Sequence, residues 1–326
     1  MRIVIATCPE VPVPPIDYGG TERRVAVEAV RLESRGHQVT LLCGPGSICP
    51  VRQVVASTSN PTAEWEFVAW LRDHRREYDA VVDITRFHTP SQDLGLPKDS
   101  PTLAIMTGDP YRRYPHDDVR NRVYVSKAFA EYNHSPNHPV LNNIFCDDPS
   151  VFPLGDGGGG FVLYVGTVRP EKGPDVAARA CRLLGVPLVV VGPVQDKFQP
   201  YWRTFKGLVD YRGSLGDAKW ELYRAAAATV APINWCDAGI LTVKESLVVG
   251  TPVVACPIGG LMDDVVDCVN GRLVSRDRFL TGLSYVLGRG WDRLTIRAAI
   301  LPSLDTDKHV DRMEQLIADV AGGRSW

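Results

Sequence analysis

The sequence predicts two α/β domains, each built on a doubly wound parallel sheet. A chain of 326 residues is too long for one ordinary hydrophobic core and suits two domains of about 150 residues each. Short continuous apolar runs, typical of strands buried on both faces, alternate with segments of helical periodicity. The alternation breaks once, at a glycine-rich segment, and then restarts.

Composition and charge restrict the class of protein and its partners. Apolar residues make up 44% and charged residues 23% of the chain, as in ordinary soluble globular proteins. The formal net charge of -2 provides no long-range attraction to nucleic acid or to an anionic membrane, so a bound anion must be held by a local site. No apolar run approaches the ~20 residues that span a bilayer, and the N-terminus has no cleavable signal pattern. We therefore expect a cytoplasmic protein.

The eight cysteines are scattered, and no two form a C-x-x-C pair. Cys8, Cys181 and Cys256 lie in apolar or helical runs, where cysteine acts as a small hydrophobic residue. The sequence therefore predicts neither a structural zinc site nor a disulfide framework.

The first half begins with a strand, a loop and a helix. Residues 2–8 form a short apolar run that predicts a buried strand. A proline-rich loop follows, then a helix with Thr21 as its N-cap and Gly36 as its C′ residue. Residues 37–43 predict a second strand, which completes a right-handed βαβ unit. Further predicted elements are strands over residues 51–57, 79–85, 102–108 and 122–126, and a helix over residues 63–74.

The break falls at residues 153–160, PLGDGGGG, whose glycines are typical of a flexible linker. We therefore assign residues 1–152 and 153–305 to two Rossmann-like domains. Ligands of such sheets bind at the carboxyl ends of the strands, so we expect the site in a cleft that the two domains face. The predicted elements of the second half are strands over residues 161–168, 187–194 and 252–259, and helices over residues 174–185, 218–228 and 240–250.

The turn GTVRPEKG, residues 166–173, is the first candidate site. A glycine-rich turn after a strand lets backbone N–H groups approach an anion, and the helix that follows presents the positive end of its dipole. Arg169 can grip phosphate oxygens as a fork, and Lys172 adds a point charge. The motif alone leaves open a solvated turn in which Glu171 pairs with a cation.

A second candidate is PINWCDAGILTVKESLVVGTPVVA, residues 232–255. Asp237 precedes a helix that begins near Ile240, and Glu245 lies on that helix. Their spacing is a little over two helical turns, so both carboxylates can face one groove. A carboxylate accepts two hydroxyls at once, which suits recognition of a ribose or a hexose. The alternative is an Asp that stabilises the helix N-terminus and an exposed Glu.

These segments together resemble the family 4 retaining glycosyltransferases of GT-B fold. VRPEKG resembles their diphosphate-binding turn, and Asp237 to Glu245, followed by GTPVVA, resembles their E-x7-E element. GGLMDDVVDCVNGRLV is similar to a later family motif, and YGGTERRVAVEAVRLESRGHQVTLLC to the N-terminal glycine loop, helix and second strand. The motifs occur in order over nearly the whole chain, which is far more specific than any one of them.

The resemblance implies an enzyme of carbohydrate biosynthesis that transfers a hexose, with retention of configuration, from a nucleoside diphosphate sugar, most often a UDP-sugar. Arg169, Lys172 and Asp237 would be catalytic, and Glu245 would hold the ribose hydroxyls. The donor phosphates would lie between the first glycine loop and the turn at residues 166–173. The other implied donor-binding residues are Gly19, Gly20, Gly166, Arg212, Gly213, Gly239, Ile240, Leu241 and Thr242.

The chain departs from the family pattern near the transferred sugar. Asp237 is one methylene shorter than the usual Glu, and Ala238 and Gly239 replace Pro-Phe. Thr107 stands where the family often has a histidine, for which His88 is a possible substitute and an exposed loop histidine the alternative. The acceptor is expected to be a soluble natural product or oligosaccharide bound to the first domain. Candidate acceptor or sugar contacts are Tyr18, His88, Thr107 and Asp109.

The expected mechanism needs no cofactor beyond the donor. No D-x-D cluster of the kind that holds a divalent ion beside a nucleotide sugar is identified, so the reaction is expected to be metal-independent. No carboxylate is an obvious nucleophile, which favours a same-face reaction over a double displacement. A catalytically impaired nucleotide-sugar-binding scaffold and a nonhydrolysing nucleotide-sugar epimerase remain alternatives. An NAD-dependent oxidoreductase is disfavoured because neither half has a G-x-G-x-x-G turn after its first strand.

Residues 306–326 predict an amphipathic C-terminal helix. In the fold that the resemblance implies, such a helix crosses back to the first domain. Its apolar stripe is therefore expected to be core rather than a partner or membrane surface. The stripe consists of Val310, Met313, Leu316, Ile317 and Val320.

Overall fold

The computed structural model describes residues 1–17, 19–92, 96, 100–108 and 119–326. Two compact units are present: Met1–Asp147 with Asp305–Trp326, and Asp148–Leu304. Each contains a six-stranded parallel sheet, which confirms the predicted α/β class and the two Rossmann-like sheets. In this described part of the chain, no helix is both long and apolar enough to cross a bilayer.

The sheet of the first unit has the strand order of a dinucleotide-binding fold. Its strands are β1 (Arg2–Thr7), β2 (Gln38–Cys43), β3 (Arg52–Val55), β4 (Ala80–Ile84), β5 (Thr102–Met106) and β6 (Arg122–Tyr124). The helices between them are α1 (Gly20–Ser34), α2 (Glu64–Asp73) and α3 (Lys127–Tyr132). The order β3-β2-β1-β4-β5-β6 places the reversal of strand order between β1 and β4, which is where such sheets bind ligands.

The sheet of the second unit has the order β12-β11-β10-β7-β8-β9. Read from the other edge, as β9-β8-β7-β10-β11-β12, it repeats the order of the first sheet. Its strands are β7 (Val162–Val165), β8 (Leu188–Val191), β9 (Asp210–Tyr211), β10 (Ala228–Ala231), β11 (Val253–Ala255) and β12 (Gly271–Leu273). Its helices are α4 (Pro174–Leu184), α5 (Gln199–Arg203), α6 (Lys219–Ala225), α7 (Leu241–Val248), α8 (Leu261–Asp264), α9 (Phe279–Leu287) and α10 (Arg293–Ile300). The reversal of strand order here lies between β7 and β10.

Helix α1 begins earlier than the sequence predicted. Its N-cap is Gly19, so the prediction that Thr21 caps the helix is wrong. A Cβ on Gly19 would lie 2.7 Å from Pro15 Cβ, and this close approach fixes where the chain turns from the proline-rich loop into the helix. Gly36, with a φ of 89°, follows the C-cap Arg35, and its predicted position is confirmed.

Strand β10 lies in the middle of the second sheet and was not predicted from the sequence. Ala228 falls at the end of the helix predicted over residues 218–228, in a run of alanines, which have the highest helix propensity. In the structure α6 ends at Ala225, and the N–H of Thr229 donates to Pro252 O at 2.9 Å. Pairing with strands distant in sequence therefore overrides the local preference.

The glycine-rich segment at residues 153–160 belongs to the second unit, and its interpretation as a flexible linker is wrong. A Cβ on Gly155 would lie 2.2 Å from Arg224 O. The N–H of Gly159 donates to Ala225 O at 2.9 Å. These glycines let the segment pack directly against the end of α6, which a residue with a side chain would prevent.

The C-terminal helix α11 (Thr306–Ala321) belongs to the first unit. It packs against α1, β4 and β5. All five residues of the predicted apolar stripe are at most 3% exposed, so the prediction that this stripe is core is confirmed.

A buried charged cluster joins α11 to α1. The Nε of Arg24 donates to Glu28 Oε1 at 2.6 Å, and its Nη1 donates to Asn143 Oδ1 at 2.8 Å. The Nε2 of His309 lies 2.7 Å from the same oxygen of Glu28. Burial alone would raise the pKa of Glu28, but Arg24 and His309 outweigh it and lower this pKa.

Glu22, in the first turn of α1, differs from Glu28 because the effect of burial on its pKa is not outweighed by charged partners. Its side chain is buried, and burial raises its pKa to about 7. A carboxyl group whose pKa is raised in the folded protein keeps its proton where the unfolded chain has already lost it. The free energy of unfolding that this group contributes therefore falls as the pH rises from about 4.3 to about 7.

We expect Glu22→Gln to remove this pH dependence. The free energy of unfolding of the variant minus that of the wild type should rise by about 3 kcal/mol between pH 4.5 and pH 8, from about 1.4 kcal/mol per unit of pKa shift. Urea denaturation at several pH values measures this difference. Glu33→Gln, which alters an exposed residue of the same helix, is the control. A difference that stays constant with pH for Glu22→Gln contradicts the prediction.

Candidate functional site

The carboxyl ends of β7, β8 and β9 meet at three glycines of the second unit. The N–H of Gly166 donates to Val191 O at 2.9 Å, and the N–H of Gly192 donates to Gly213 O at 2.8 Å. A Cβ on Gly192 would lie 2.2 Å from Gly166 O, and its φ is 134°. Only glycine fits at this position, so the strand ends approach closely and set the start of the turn that follows β7.

That turn places Arg169 and Lys172 immediately before α4. The N–H of Lys172 donates to Arg169 O at 3.1 Å, which closes the turn. Gly173 caps the helix with a φ of 68°, and a Cβ there would lie 2.3 Å from Pro232 O. The turn is therefore held against the segment that follows β10, with both cations beside the positive end of the α4 dipole.

The indole of Trp235 supports both cations. The Arg169 guanidinium carbon lies 4.7 Å, and the Lys172 Nζ 5.6 Å, from the centroid of its ring. Cation–π attraction at these distances restricts the conformations of the two long side chains. Trp235 was not predicted as a site residue, although an aromatic residue in the segment that carries Asp237 was a usable signal.

Each cation has a carboxylate partner in the second unit. The Nε of Arg169 donates to Glu171 Oε2 at 3.2 Å. The ion pair of Glu171 with a cation of the turn, which the motif left open, is therefore present. Lys172 pairs instead with Oδ2 of Asp237, and Oδ1 of Asp237 accepts from the N–H of Gly239 at 3.3 Å. The structure therefore joins a predicted phosphate ligand and a predicted sugar ligand in one ion pair.

The loop that carries Asp237 is fixed by a pair of glycines. The N–H of Gly260 donates to Asp237 O at 2.9 Å. A Cβ on Gly259 would lie 2.2 Å from the same oxygen, and a Cβ on Gly260 would lie 2.4 Å from Ala238 O. These glycines bring the segment before α8 into contact with the loop, which fixes the backbone on which the Asp237 side chain stands.

Glu245 lies on α7, which begins at Leu241 with Ile240 as its N-cap, close to the predicted start. The residue is 2% exposed, so the alternative of an exposed Glu is wrong. Its Oε1 lies 2.5 Å from Lys219 Nζ, and its Oε2 accepts from the Tyr223 hydroxyl at 2.9 Å. Neither of these two partners was predicted from the sequence.

The other predicted donor-binding residues of the second unit lie at strand and helix ends. The guanidinium of Arg212 donates to Asp210 Oδ2 at 2.7 Å, and Gly213 follows it with a φ of 69°. Gly239, Ile240, Leu241 and Thr242 form the turn into α7 and its first residues.

In the first unit, His88 is buried rather than exposed. It follows β4 with a φ of 50° and is 3% exposed, so the alternative of an exposed loop histidine is wrong. Its Nδ1 lies 3.8 Å from Asp83 Oδ1. Burial alone would raise the pKa of Asp83, but His88 and hydrogen bonds from Ser91 and Thr85 lower it.

The remaining predicted contacts of the first unit divide into two groups. Gly19 and Gly20 form the start of α1, and Thr107 follows β5 directly and is half-buried. Tyr18 and Asp109 lie outside the described residues.

Potential metal ligands are dispersed in the described ranges, where no group of three or more His, Cys, Asp and Glu side chains could hold a metal ion. The eight cysteines are free thiols. The D-T-D sequence at residues 305–307 has a structural role, because Asp305 caps α11 and Asp307 pairs with Arg31 at 2.6 Å.

Residues 153–278 match the family model described as "Glycosyl transferases group 1". A D-inositol 3-phosphate glycosyltransferase of Acidothermus cellulolyticus is 31% identical over 161 residues, which are 43% of this chain and 36% of that relative. The chain therefore spans little more than a third of the length of this curated relative.

Solved structures match the whole chain. AviGT4, a glycosyltransferase involved in avilamycin A biosynthesis, is 23% identical with a TM-score of 0.76 and full coverage of both chains. HepE of Anabaena, solved in complex with UDP, is 15% identical with a TM-score of 0.75 and covers 98% of this chain and 100% of its own; it was also solved with UDP-glucose. Residues 153–278 are thus similar to the group 1 glycosyltransferases, and the chain as a whole has the two-unit α/β fold of the GT-B glycosyltransferases.

Proposed function

We propose that the protein is a glycosyltransferase that moves a hexose from a nucleoside diphosphate donor, with a UDP-sugar as the preferred donor. The observation that carries the proposal is the pair of cations at the start of α4, Arg169 and Lys172, both packed on the indole of Trp235. A helix N-terminus with two adjacent cations suits a diphosphate. The UDP and UDP-glucose complexes of HepE support uridine as the base.

The same cations would lower the barrier of the reaction. Cleavage of the bond between the sugar and the phosphate develops negative charge on the leaving diphosphate. Arg169 and Lys172 are already held in place by Trp235 and by their carboxylate partners. Charges fixed in position before the reaction stabilise the transition state without the cost of reorganisation. In this proposal they supply the positive charge that a divalent metal supplies in other transferases.

Two carboxylates would bind the sugar hydroxyls of the donor. Glu245 would accept from the ribose, and Asp237 from the transferred hexose. Asp237 pairs with Lys172, so the ligand of the hexose and a ligand of the diphosphate are held as one unit. This pairing would fix the sugar relative to the bond that breaks.

We propose retention of configuration through a same-face reaction. The bond from the anomeric carbon to the phosphate oxygen breaks, and the bond to the acceptor oxygen forms on the same face. The proton of the acceptor hydroxyl passes to the leaving phosphate, which balances the charge. The carboxylates beside the cation pair, Glu171 and Asp237, are both engaged in ion pairs, which does not favour either as a nucleophile.

The acceptor is proposed to be a soluble natural product or oligosaccharide, used in the cytoplasm. The match to a D-inositol 3-phosphate glycosyltransferase supports a small, polar acceptor, and the match to a glycosyltransferase of avilamycin A biosynthesis supports a natural product. The roles of His88 and Thr107 in contacting it stay predictions.

Release of nucleoside diphosphate from a panel of UDP-, GDP-, ADP- and dTDP-sugars tests the proposal. We expect turnover of UDP-sugars, with hydrolysis in the absence of an acceptor and faster release when polyol and oligosaccharide acceptors are added. NMR of the product should show the anomeric configuration of the donor. Binding of a donor without release would favour the nucleotide-binding scaffold, and the absence of both binding and release would overturn the proposal. A trapped covalent glycosyl-enzyme would exclude the same-face reaction.

A further inference from the structure

The carboxylate of Glu245 is held by two side chains of α6. Lys219 Nζ lies 2.5 Å from Oε1, and the Tyr223 hydroxyl donates to Oε2 at 2.9 Å. Lys219 and Tyr223 are four residues apart on one helix, so they project from the same face, one turn apart. Each oxygen of the carboxylate therefore has one protein partner, and both partners approach from one element.

The Glu245 carboxylate needs these two partners because it is buried. Glu245 is 2% exposed and Lys219 is 9% exposed. A buried carboxylate without a partner is costly, and removal of one member of a buried ion pair leaves the other uncompensated. A carboxylate has about four acceptor positions. Two of them are used here, so acceptor capacity remains on both oxygens.

Two neighbouring cations are bound elsewhere. Lys244, the residue before Glu245 on α7, pairs with Asp264 of α8 at 2.8 Å. Arg293 of α10, the helix that packs against α7, donates to Thr251 Oγ1 at 2.8 Å. The strands that pack against α7, β10 and β11, contain no charged residue. Lys219 is therefore the cation paired with Glu245.

We infer that Lys219 is the positioning residue that directs Glu245 toward the ribose of the donor, and that this pair sets the preference for a ribonucleotide over its deoxy forms. This inference rests on the proposed function, and it adds Lys219 and Tyr223 of α6 to the proposed donor site. A carboxylate fixed from one side by Lys219 and Tyr223 presents its remaining acceptor positions in one direction. Two adjacent hydroxyls match such an acceptor pair, whereas a deoxyribose leaves one position unfilled.

The test compares the affinities of UDP, 2′-deoxy-UDP and 3′-deoxy-UDP by calorimetry on the full chain. The wild type should bind UDP about tenfold more tightly than either deoxy form, as expected for one hydrogen bond to a charged group. Lys219→Met should reduce this ratio to about threefold or less, and Lys219→Arg should retain most of it. Tyr223→Phe, which removes a single hydrogen bond, should reduce the ratio less than Lys219→Met does.

The matched control is Lys244→Met, which breaks a buried lysine–carboxylate pair one residue from Glu245. It should lower the melting temperature but leave the ratio unchanged. An unchanged ratio in Lys219→Met would show that Lys219 only stabilises the fold and would overturn the inference alone. If Lys219→Met does not fold, Tyr223→Phe decides in the same way. A wild type that binds none of these nucleotides, nor the ADP and GDP series, would overturn the proposed function together with the inference.

Discussion

The double substitution Arg169→Ala/Lys172→Ala is expected to lower the turnover of the nucleotide sugar by a factor of about 10³ or more. Removal of one preorganised donor from a developing negative charge typically costs a factor of 10² to 10³ in kcat, and here two groups act on the same diphosphate. The loss should exceed what either single variant shows. Release of nucleoside diphosphate at saturating donor measures it.

Arg179→Ala is the matched control for this prediction. Arg179 lies on α4, its side chain is 65% exposed, and its partner is Asp175. Its substitution removes a cation of α4, the helix that follows the turn, without changing the turn itself, so turnover should change little. A double variant that retains more than a tenth of the wild-type turnover would show that the diphosphate does not bind at this turn.

Glu28→Ala is expected to lower the free energy of unfolding by about 3–5 kcal/mol, the range for breaking a fully buried ion pair. Arg24 and Glu28 are both completely buried. The substitution leaves the Arg24 guanidinium without its carboxylate, and it removes the contact through which His309 joins α11 to α1. Urea denaturation followed by circular dichroism measures the loss.

Asp311→Ala tests whether burial is the cause. Asp311 also joins α11 to α1, through Arg35, but its side chain is 65% exposed. Solvent screens an exposed pair, so this variant should lose much less stability than Glu28→Ala. Equal losses in the two variants would contradict the account of the buried cluster.

The architecture could be predicted because buried parallel strands have a simple sequence pattern. Residues 2–8 and 79–85 are short, largely apolar segments, and both contain central strands of the first sheet. Strand β10 was missed because AAAATVA has a helical preference, and only its pairing with β7 and β11 makes it a strand. The glycine-rich segment was misinterpreted for a related reason, since glycine composition alone does not separate a flexible linker from a tightly packed turn.

The candidate site was predictable where a motif carries it. Arg169 and Lys172 stand in one short turn. Because this turn lies between a strand and a helix N-terminus, both side chains can bind the same anion. Lys219 could not be assigned in the same way. Lys219 reaches Glu245 across 26 residues of sequence, and a lysine at a helix start has no local feature that shows its partner. Lys172 and Asp237 are 65 residues apart in sequence, and only the folded sheet places them next to each other.

Thermal stabilisation by nucleotides shows whether a nucleoside diphosphate binds at the turn before α4. UDP, GDP, ADP and dTDP are each added to the wild type, to Arg179→Ala and to Arg169→Ala/Lys172→Ala. We expect UDP to stabilise the first two proteins, by about 2.7 kcal/mol at a hundredfold excess over Kd, and the double variant to lose this stabilisation. Stabilisation of the double variant equal to that of the wild type would contradict this prediction, because the nucleotide would then bind elsewhere.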